Sequence, residues 1–463
     1  MIKLEKLLVV GLDSVPPELL FGKLLDSLPN TKRLCRYGTH GTLDTCHPPI
    51  TVPAWMVMMT GKNPGALGIY GFRHRRGFSY TDGYIVDSNY VFEPTVWEIL
   101  GREGLKSCVI GLPPSYPPKA INGNLVTCMI TPGPEKDFTF PQSLKNEVRS
   151  VVGDYIFDVT FRVEDRDSLK RELFEMTRKR FKLASYLARE KDWNLFILHE
   201  IGFDRLHHAF WKFFDARHPK YLKGNKYEGI VKEYYELFDE LLGDLLEAAG
   251  SDVPVLLLSD HGSKAMKGAF CINQWLEKEG FLRLSSPPAK VTDLEKAGVD
   301  WTRTRAWGWG GYYARIFLNI RGREEGGIVA PEEVPRLKSE LKRRISQIRD
   351  ASGGAMKNTV FEPDELYGVA KGDKPDLMVY LDDLNWRSAG TVGHGSVYLS
   401  ENDTGPDDSV HSMHGIFLYH DPNSHQTRRI DGMKAEEVAP TILNLFGVPI
   451  PDDMQGRPVK LSD

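Results

Sequence analysis

Acidic and imidazole side chains recur in this sequence at spacings that suit metal binding. In "DRLHH", Asp204 and His208 are four residues apart, so both lie on one face if the segment is helical. The alternative is a helix-capping aspartate followed by surface histidines. In "SDHG", Asp260 and His261 follow an apolar run, and Gly262 permits a bend that turns both toward one ion. The alternative there is an ordinary turn at a strand end. Carboxylates and imidazoles are ligands of zinc, and also of manganese and iron.

Two further residues have settings that suit the same chemistry. Asp13 follows the apolar run "VVGL", where the alternative is a turn or helix cap before Pro16. Thr51 lies in "CHPPITVPAW", and Pro53 with the following "AWMVMMTG" predicts that a helix starts at Thr51. Helix N-termini direct free N–H groups toward anions, and metal coordination is one way to activate a hydroxyl as a nucleophile. The alternative for Thr51 is a plain helix cap.

The elements that must position these residues are predicted by short apolar runs. "KLLVVGLD", "WNLFILHEIGFD" and "VPVLLLSDHG" are apolar without alternation, which is typical of parallel strands buried on both faces. Amphipathic stretches lie between and after them, at 94–103, 168–190, 226–249 and 434–446. The alternation predicts an α/β fold with a doubly wound, mostly parallel sheet and helices on both faces. Ligands bind at the carboxyl ends of such strands, where Asp13, Asp204, Asp260 and His261 are expected.

A single catalytic domain over residues 1–463 is expected, with an inserted cap or substrate subdomain at approximately 263–405. That region has a different character, with "RTRAWGWGGYYARIFLN" followed by a basic amphipathic stretch at 330–350. Trp307 and Trp309 are candidates for a stacking platform or, equally, for core packing of the subdomain. The stretch "FRHRRG", residues 72–77, is either a solvated basic loop or a contact for a second phosphate or an acidic leaving group.

Composition excludes several functional classes. The 463 residues carry a formal net charge of −4, which gives no reason to expect a nucleic-acid-binding surface. The five cysteines are widely spaced without a CxxC pair, which argues against a disulfide framework or a cysteine zinc cage. No signal peptide and no run of 18 apolar residues is recognisable, so we expect no membrane span and a cytoplasmic location. The sequence does not indicate an oligomeric state.

Taken in order, the motifs resemble the alkaline phosphatase superfamily, and within it the type I phosphodiesterase/nucleotide pyrophosphatase family. The chain looks most like the cytosolic archaeal and bacterial members known as predicted phosphohydrolases. The resemblance runs almost end to end, through "VVGLDS", "PPITVPAWMVMMTGKNPGALGIYGF", "FDRLHH", "LLLSDHGSKAMKGAFCINQWLEKEGFL", "HSMHGIF" and "EEVAPTILNLFGVPIPDDMQGRPV". It implies an alkaline phosphatase-like fold.

The resemblance also implies a ligand set for two divalent ions, with zinc as the first candidate and manganese or iron as alternatives. One ion would be held by Asp204, His208 and His411, and the other by Asp13, Asp260, His261 and the oxygen of Thr51, the family's nucleophile. His411 matches the last metal-binding histidine by its distance from Gly415, and His414 is a rival by proximity.

Two departures from related patterns bear on specificity. Eukaryotic nucleotide pyrophosphatases resemble this chain but place an Asn three residues after the nucleophile, where this chain has Ala54. That puts nucleotide specificity in doubt. The sulfatase branch requires an arginine where "CHPPI" has Ile50, so a sulfatase is excluded.

The resulting hypothesis is a two-metal phosphohydrolase that cleaves a phosphodiester or pyrophosphate bond through a covalent phospho-threonine. Its substrate would be a small phosphate ester or nucleotide-like molecule. The alternatives are a phosphomonoesterase, a phosphonate hydrolase or a phosphotransferase on the same scaffold, and a non-catalytic metal-binding homologue.

Overall fold

The structure is a computed structural model that describes residues 3–424 and 426–461. Its strands, in chain order, are β1 (Leu7–Leu12), β2 (Gly38–Asp44), β3 (Arg73–Arg75), β4 (Gly83–Ile85), β5 (Ser107–Ile110), β6 (Gly123–Val126), β7 (Thr139–Phe140), β8 (Leu195–Glu200), β9 (Val255–Leu258), β10 (Gly262–Ala265), β11 (Gly268–Cys271), β12 (Ala306–Trp309), β13 (Ala314–Leu318), β14 (Thr359–Phe361), β15 (Leu377–Tyr380), β16 (Trp386–Ala389), β17 (Tyr398–Leu399), β18 (Ser409–Ser412), β19 (His414–His420), β20 (Arg428–Arg429) and β21 (Met433–Lys434).

The α-helices agree in position with the predicted amphipathic stretches and add several shorter ones. They are α1 (Pro29–Arg36), α2 (Thr51–Thr60), α3 (Pro64–Leu67), α4 (Val96–Arg102), α5 (Leu144–Val152), α6 (Arg166–Glu190), α7 (Gly202–Phe214), α8 (Ile230–Ala249), α9 (Ile272–Lys278), α10 (Val334–Ser346), α11 (Pro363–Tyr367) and α12 (Val438–Leu445). Within the described residues, no helix combines the length and the apolar character that a membrane span requires.

The central sheet has the strand order β20-β2-β19-β9-β1-β8-β5-β6-β7, and β21 also pairs with β2. Adjacent strands are parallel except where β19 or β7 is a partner. The predicted mostly parallel α/β fold is confirmed. Its centre consists of β9, β1 and β8, which carry the three apolar runs that the sequence predicts as buried strands.

Both faces of the central sheet are covered, which explains why its strands are apolar without alternation. Along β1, Leu8, Val10 and Leu12 join one hydrophobic core with the long helices α6, α7 and α8. Leu7 and Val9 join a second core, on the opposite face, with α2, α4 and α12. Successive residues of the strand therefore enter different cores, as the pleat of a strand requires.

A third hydrophobic core lies in the region where the sequence predicts a cap. It includes Phe270, Trp307, Phe317, Leu341 and Val379, and it packs around the four-stranded sheet β12-β13-β15-β14 and the helices α9 and α10. Trp307 and Trp309 are buried in this core, so core packing accounts for both. The boundaries at about 263 and 405, and the division into one domain with an insertion, stay predictions.

Candidate active site

The predicted site residues all lie at one edge of the central sheet. Asp13 follows β1, and Asp260 with His261 follows β9. The chain turns after β8 into α7, which carries Asp204 and His208 on adjacent turns. β19 runs antiparallel to β9 and so begins at this edge, directly after His411 on β18. β2 ends there and leads to α2. These side chains are 3% exposed or less: Asp13, Thr51, Asp204, His208, Asp260, His261 and His411.

A first cluster is formed by Asp13, Thr51, Asp260 and His261. Thr51 Oγ1 lies 3.4 Å from Asp13 Oδ1 and 3.5 Å from His261 Nε2. His261 Nε2 is 3.2 Å from Asp260 Oδ2 and 3.8 Å from Asp13 Oδ1. The ligand atoms of the two aspartates and the histidine all lie within 4.8 Å of one another. This spacing fits one cation among them, with the threonine oxygen beside it.

Local backbone geometry sets the first cluster. Thr51 is the first helical residue of α2, as the sequence predicts, and the first helical hydrogen bond runs from Ala54 N to Ile50 O at 2.9 Å. The N–H groups of Thr51 and Val52 therefore precede the intrahelical ladder and are available to an anion. Ser14 has a left-handed φ of 67°, and its amide donates to Asp260 Oδ1 at 3.1 Å. This hydrogen bond links the turn that follows β1 to the residue pair that follows β9.

An indole and an imidazole fix the orientation of Asp13. Its Oδ2 accepts a hydrogen bond from Trp55 Nε1 at 2.9 Å, and His199 Nε2 lies 2.9 Å from the same oxygen. Oδ1 is thereby directed at Thr51 and His261. The indole of Trp55 lies so close to β1 that a Cβ on Gly11 would stand 2.3 Å from its ring. Glycine in "VVGLDS" therefore makes room for the donor that orients Asp13.

A second cluster is formed by Asp204, His208 and His411. His208 Nε2 lies 3.2 Å from Asp204 Oδ1 and 3.2 Å from His411 Nε2, and His411 Nε2 is 3.6 Å from the same carboxylate oxygen. The four-residue spacing of Asp204 and His208 places both on one helical face, as the sequence predicts. Ligand atoms of Asp204, His261 and His411 also lie within 4.8 Å of one another, so His261 borders both clusters.

The three imidazoles present the same nitrogen to the clusters. His261 Nδ1 faces the Gly262 carbonyl at 3.1 Å, and His411 Nδ1 faces the Pro49 carbonyl at 2.6 Å. His208 Nδ1 faces Asp407 Oδ1 at 2.7 Å. An acceptor at Nδ1 keeps a proton on that nitrogen and leaves Nε2 free to bind a metal. This arrangement is the one expected of metal-ligating histidines.

The electrostatics of the clusters favour a cation. Asp204 Oδ1 and Asp260 Oδ2 are buried and have no hydrogen-bond donor within the described part of the chain. Burial and the nearby Asp13 carboxylate raise the pKa of Asp260 well above its usual value. Burial and His411 lower the pKa of His261 to about 3, which keeps the imidazole in the neutral form that metals bind. Buried carboxylates without donors are costly unless a positive charge compensates them.

Several residues of the site escape sequence reasoning. Asp407 pairs with His208, and Arg205 Nη1 donates to Asp204 Oδ2 at 2.6 Å. The hydroxyl of Tyr312 lies 3.0 Å from His208 Nε2, and its ring stacks on His411 with centroids 3.7 Å apart. Only the adjacency of Arg205 to Asp204 was a signal in the sequence.

The rival histidine lies apart from both clusters. The side chain of His414 is 61% exposed, and its Nδ1 is 2.9 Å from Asp44 Oδ1. His411 is therefore the histidine that the fold brings to Asp204.

A mostly parallel sheet with buried carboxylate and imidazole clusters at the carboxyl ends of its strands is the architecture of an α/β metallohydrolase. The family model of type I phosphodiesterase/nucleotide pyrophosphatase matches residues 7–416. The chain belongs to this family of metal-dependent hydrolases, and the predicted family and enzyme class are confirmed.

Solved structures agree on the fold. Human ectonucleotide pyrophosphatase/phosphodiesterase 5 superposes with a TM-score of 0.58 at 14% identity, with 96% of each chain covered. The murine protein of the same name, in an inactive threonine-to-alanine variant in complex with AMP, gives a TM-score of 0.56 at 15% identity, also with 96% of each chain covered. The comparison with curated protein sequences found no match.

Proposed function

We propose that this protein is a two-metal phosphohydrolase that cleaves a phosphodiester or pyrophosphate bond by way of a phospho-threonine at Thr51. The observation that carries the proposal is the position of Thr51 Oγ1, which lies at the N-terminus of α2, 3.4 Å from Asp13 Oδ1 and 3.5 Å from His261 Nε2. The Thr51 hydroxyl therefore lies beside the metal-ligand atoms of Asp13 and His261, and beside the free N–H groups at the start of α2.

Two divalent cations fit the donor set. Asp13, Asp260, His261 and Thr51 would hold one, and Asp204, His208 and His411 the other, with zinc as the first candidate and manganese or iron as alternatives. Cations at these positions lower the pKa of a hydroxyl or water and neutralise charge that develops on phosphoryl oxygens. The donor-free oxygens Asp204 Oδ1 and Asp260 Oδ2 support both positions.

The residues of this chain then have separate roles. Thr51 Oγ1 bonds to phosphorus while the bond to the leaving oxygen breaks, and the proton of the threonine passes by way of water to that leaving oxygen. The amides of Thr51 and Val52 stabilise the phosphoryl oxygens. A water molecule next takes the phosphoryl group from Thr51 and restores the hydroxyl. Trp55 and His199 hold Asp13 in its orientation throughout.

The expected substrate is a small phosphate ester or nucleotide-like molecule. The family description and the AMP bound to the murine neighbour support this class. We also propose a cytoplasmic location, since all five cysteines are buried free thiols, as is usual in reducing compartments.

The test replaces Thr51 by Ala and by Ser, with Thr81→Ala at an exposed position as control. Thr51→Ala is expected to abolish hydrolysis of bis(4-nitrophenyl) phosphate while both cations remain bound, because three ligands of the first cluster persist. Thr51→Ser is expected to retain measurable turnover, and mass spectrometry of quenched wild-type protein is expected to find one phosphoryl group on Thr51. Full activity of Thr51→Ala would overturn the assignment of Thr51 as the nucleophile.

A further inference from the structure

Beside the second cluster lies a cavity of about 260 Å³ that five arginines line: Arg73, Arg162, Arg205, Arg315 and Arg387. Tyr312, which contacts His208 and His411, also lines it, and so does Ile50, the residue before Thr51. The cavity is therefore lined by direct neighbours of the proposed catalytic residues. We call it the arginine pocket.

The carboxylates around the arginine pocket do not balance its charge. Asp407 pairs with Arg387 Nη1 at 2.8 Å and with Arg162 Nη2 at 3.0 Å, and the same carboxylate serves His208. Asp158 pairs with Arg205 at 2.7 Å. The remaining two arginines have one carboxylate between them, since Arg73 lies 3.3 Å from Glu295.

Arg315 has no carboxylate within 4.0 Å in the described part of the chain. Its Nη1 donates instead to the carbonyl of Arg73. Burial lowers the pKa of Arg315, and Arg73 adds to that effect. An arginine stays charged even so, which leaves an uncompensated positive charge in a half-buried position.

Aromatic rings hold these guanidinium groups in place. Those of Arg73 and Arg315 lie over the same ring of Trp309, at 4.8 and 5.1 Å from its centroid. Arg387 lies 4.2 Å from the centroid of Tyr312, and its buried Nε has no hydrogen-bond partner in the described residues. Like charges fixed side by side are costly unless an anion lies between them. The pocket is preorganised for an oxyanion with fork-shaped arginine donors.

The geometry points to a second anionic group on the substrate: we propose that the arginine pocket binds a phosphate-type oxyanion attached to the scissile phosphoryl group or to its leaving group. This inference rests on the proposed function. Arg205 contacts Asp204 directly, and Arg162 and Arg387 contact His208 through Asp407. Within the described part of the chain, Arg73 and Arg315 contact neither cluster, so they are positioned for a group attached beyond the reacting phosphorus.

The test compares phosphate with pyrophosphate, which is phosphate extended by a second phosphoryl group. Both anions are titrated calorimetrically into metal-loaded Thr51→Ala protein, alone and with Arg315→Gln, Arg315→Lys or Arg73→Gln added. Arg336→Gln, at an exposed position on α10, is the control for loss of charge. Arg315→Gln and Arg73→Gln are each expected to raise the Kd of pyrophosphate about tenfold. The Kd of phosphate is expected to change less than about twofold.

Arg315→Lys is expected to give an intermediate Kd, because it keeps the charge and loses the fork. The proposal that the arginine pocket binds a second anionic group would be overturned by an unchanged Kd of pyrophosphate. It would also be overturned if the Kd of phosphate and the Kd of pyrophosphate rose equally. If Arg315→Gln lowers the melting temperature, its Kd also reflects altered folding, and the Kd values of Arg73→Gln and Arg315→Lys then test the pocket.

A separate assay keeps the two proposals distinguishable. With Thr51 intact, wild type and the Arg336→Gln control are expected to hydrolyse bis(4-nitrophenyl) phosphate, a diester without a second anionic group, at equal rates, and Thr51→Ala is expected not to hydrolyse it. Absence of hydrolysis in every protein, wild type included, would reject the proposed function and leave the pyrophosphate titration as evidence for the pocket. If wild type hydrolyses the diester but the arginine variants bind pyrophosphate as well as their parent protein does, the arginine pocket is rejected and the proposed function stands.

Discussion

The two clusters share one edge of the central sheet, yet different kinds of neighbour hold them in place. In the first, Asp13 is oriented by an indole and an imidazole, and Asp260 by a backbone amide. In the second, Asp204 pairs with Arg205 and His208 pairs with Asp407, so both orienting groups are ionic. The hydrogen bonds to the carboxylates are charge-assisted in both clusters, but in the second the orienting partners, an arginine and an aspartate, carry a charge of their own. The comparison teaches that the first cluster is set by packing and the second by charge.

That difference connects the second cluster to the arginine pocket. Asp407 contacts His208, Arg162 and Arg387 with its two oxygens, and it is fully buried. In the first cluster Asp13 contacts His199 instead, and among the described residues no arginine pairs with Asp13 or Asp260. We infer that substitutions around the first cluster act on chemistry alone, whereas those around the second act on chemistry and anion binding together.

The largest effect is expected from Asp260→Asn. Loss of an anionic ligand is expected to empty the first cluster of its cation and to lower kcat by roughly 1,000-fold or more. Metal content is expected to fall by one ion, with Asp244→Asn on the surface of α8 as the control. In metal-free protein the variant is expected to melt no lower than wild type, because repulsion from Asp13 is removed. A normal metal content with normal kcat would contradict the assignment.

Removal of the metals is expected to lower the melting temperature by roughly 5 °C, since each bound cation stabilises the folded state by mass action. The measurement is thermal unfolding with and without chelator, followed by readdition of zinc or manganese. Thr51→Ala is expected to show the full shift and Asp260→Asn a smaller one. Equal melting temperatures in all states would mean that neither cluster holds an ion.

Asp407→Asn tests the ionic support of the second cluster. Asparagine keeps an oxygen beside His208 Nδ1 but loses the charge, so activity and metal affinity are expected to fall by about 10- to 100-fold. Pyrophosphate binding is expected to change as well, because Arg162 and Arg387 lose their partner. If only pyrophosphate binding changed, the link between pocket and cluster would be absent.

Trp55→Phe is expected to have the smallest effect. The substitution removes one of two donors from Asp13 Oδ2 and leaves His199 beside the same oxygen, so the loss is expected near the low end of the roughly 1.5–3 kcal/mol that a hydrogen bond to a charged group contributes. Activity is expected to fall by at most about tenfold, while pyrophosphate binding stays at the wild-type value. A larger loss than that of Asp407→Asn would contradict the distinction between packing and charge.

The sequence predicts the first part of this site well, because Asp13, Asp204 and Asp260 each follow an apolar run that forms a central strand. Local spacing also suffices for His208, one helical turn from Asp204. His411 is different, since it was assigned only by family resemblance. It reaches Asp204 because β18 pairs with β10 and precedes β19. No local pattern marks that route.

The arginine pocket could not have been predicted in the same way. Its members come from five separated segments, and for the stretch that contains Arg73 the sequence left a solvated loop and a phosphate contact as alternatives. In the structure that stretch forms β3, where His74 and Arg75 are buried and Arg73 faces the pocket. Contacts between residues hundreds of positions apart depend on tertiary packing, which local propensity and spacing do not encode.

The position of β19 has a consequence for how the molecule is made. This strand, residues 414–420, lies between β2 and β9, and seven of the ten strands of the sheet precede it in the chain. During synthesis, the edge of β2 that pairs with β19 stays open until residues 414–420 have emerged from the ribosome. An open strand edge of that kind promotes association between incomplete chains. A ribosome that stops short of residue 414 would therefore release a split sheet rather than a shortened enzyme.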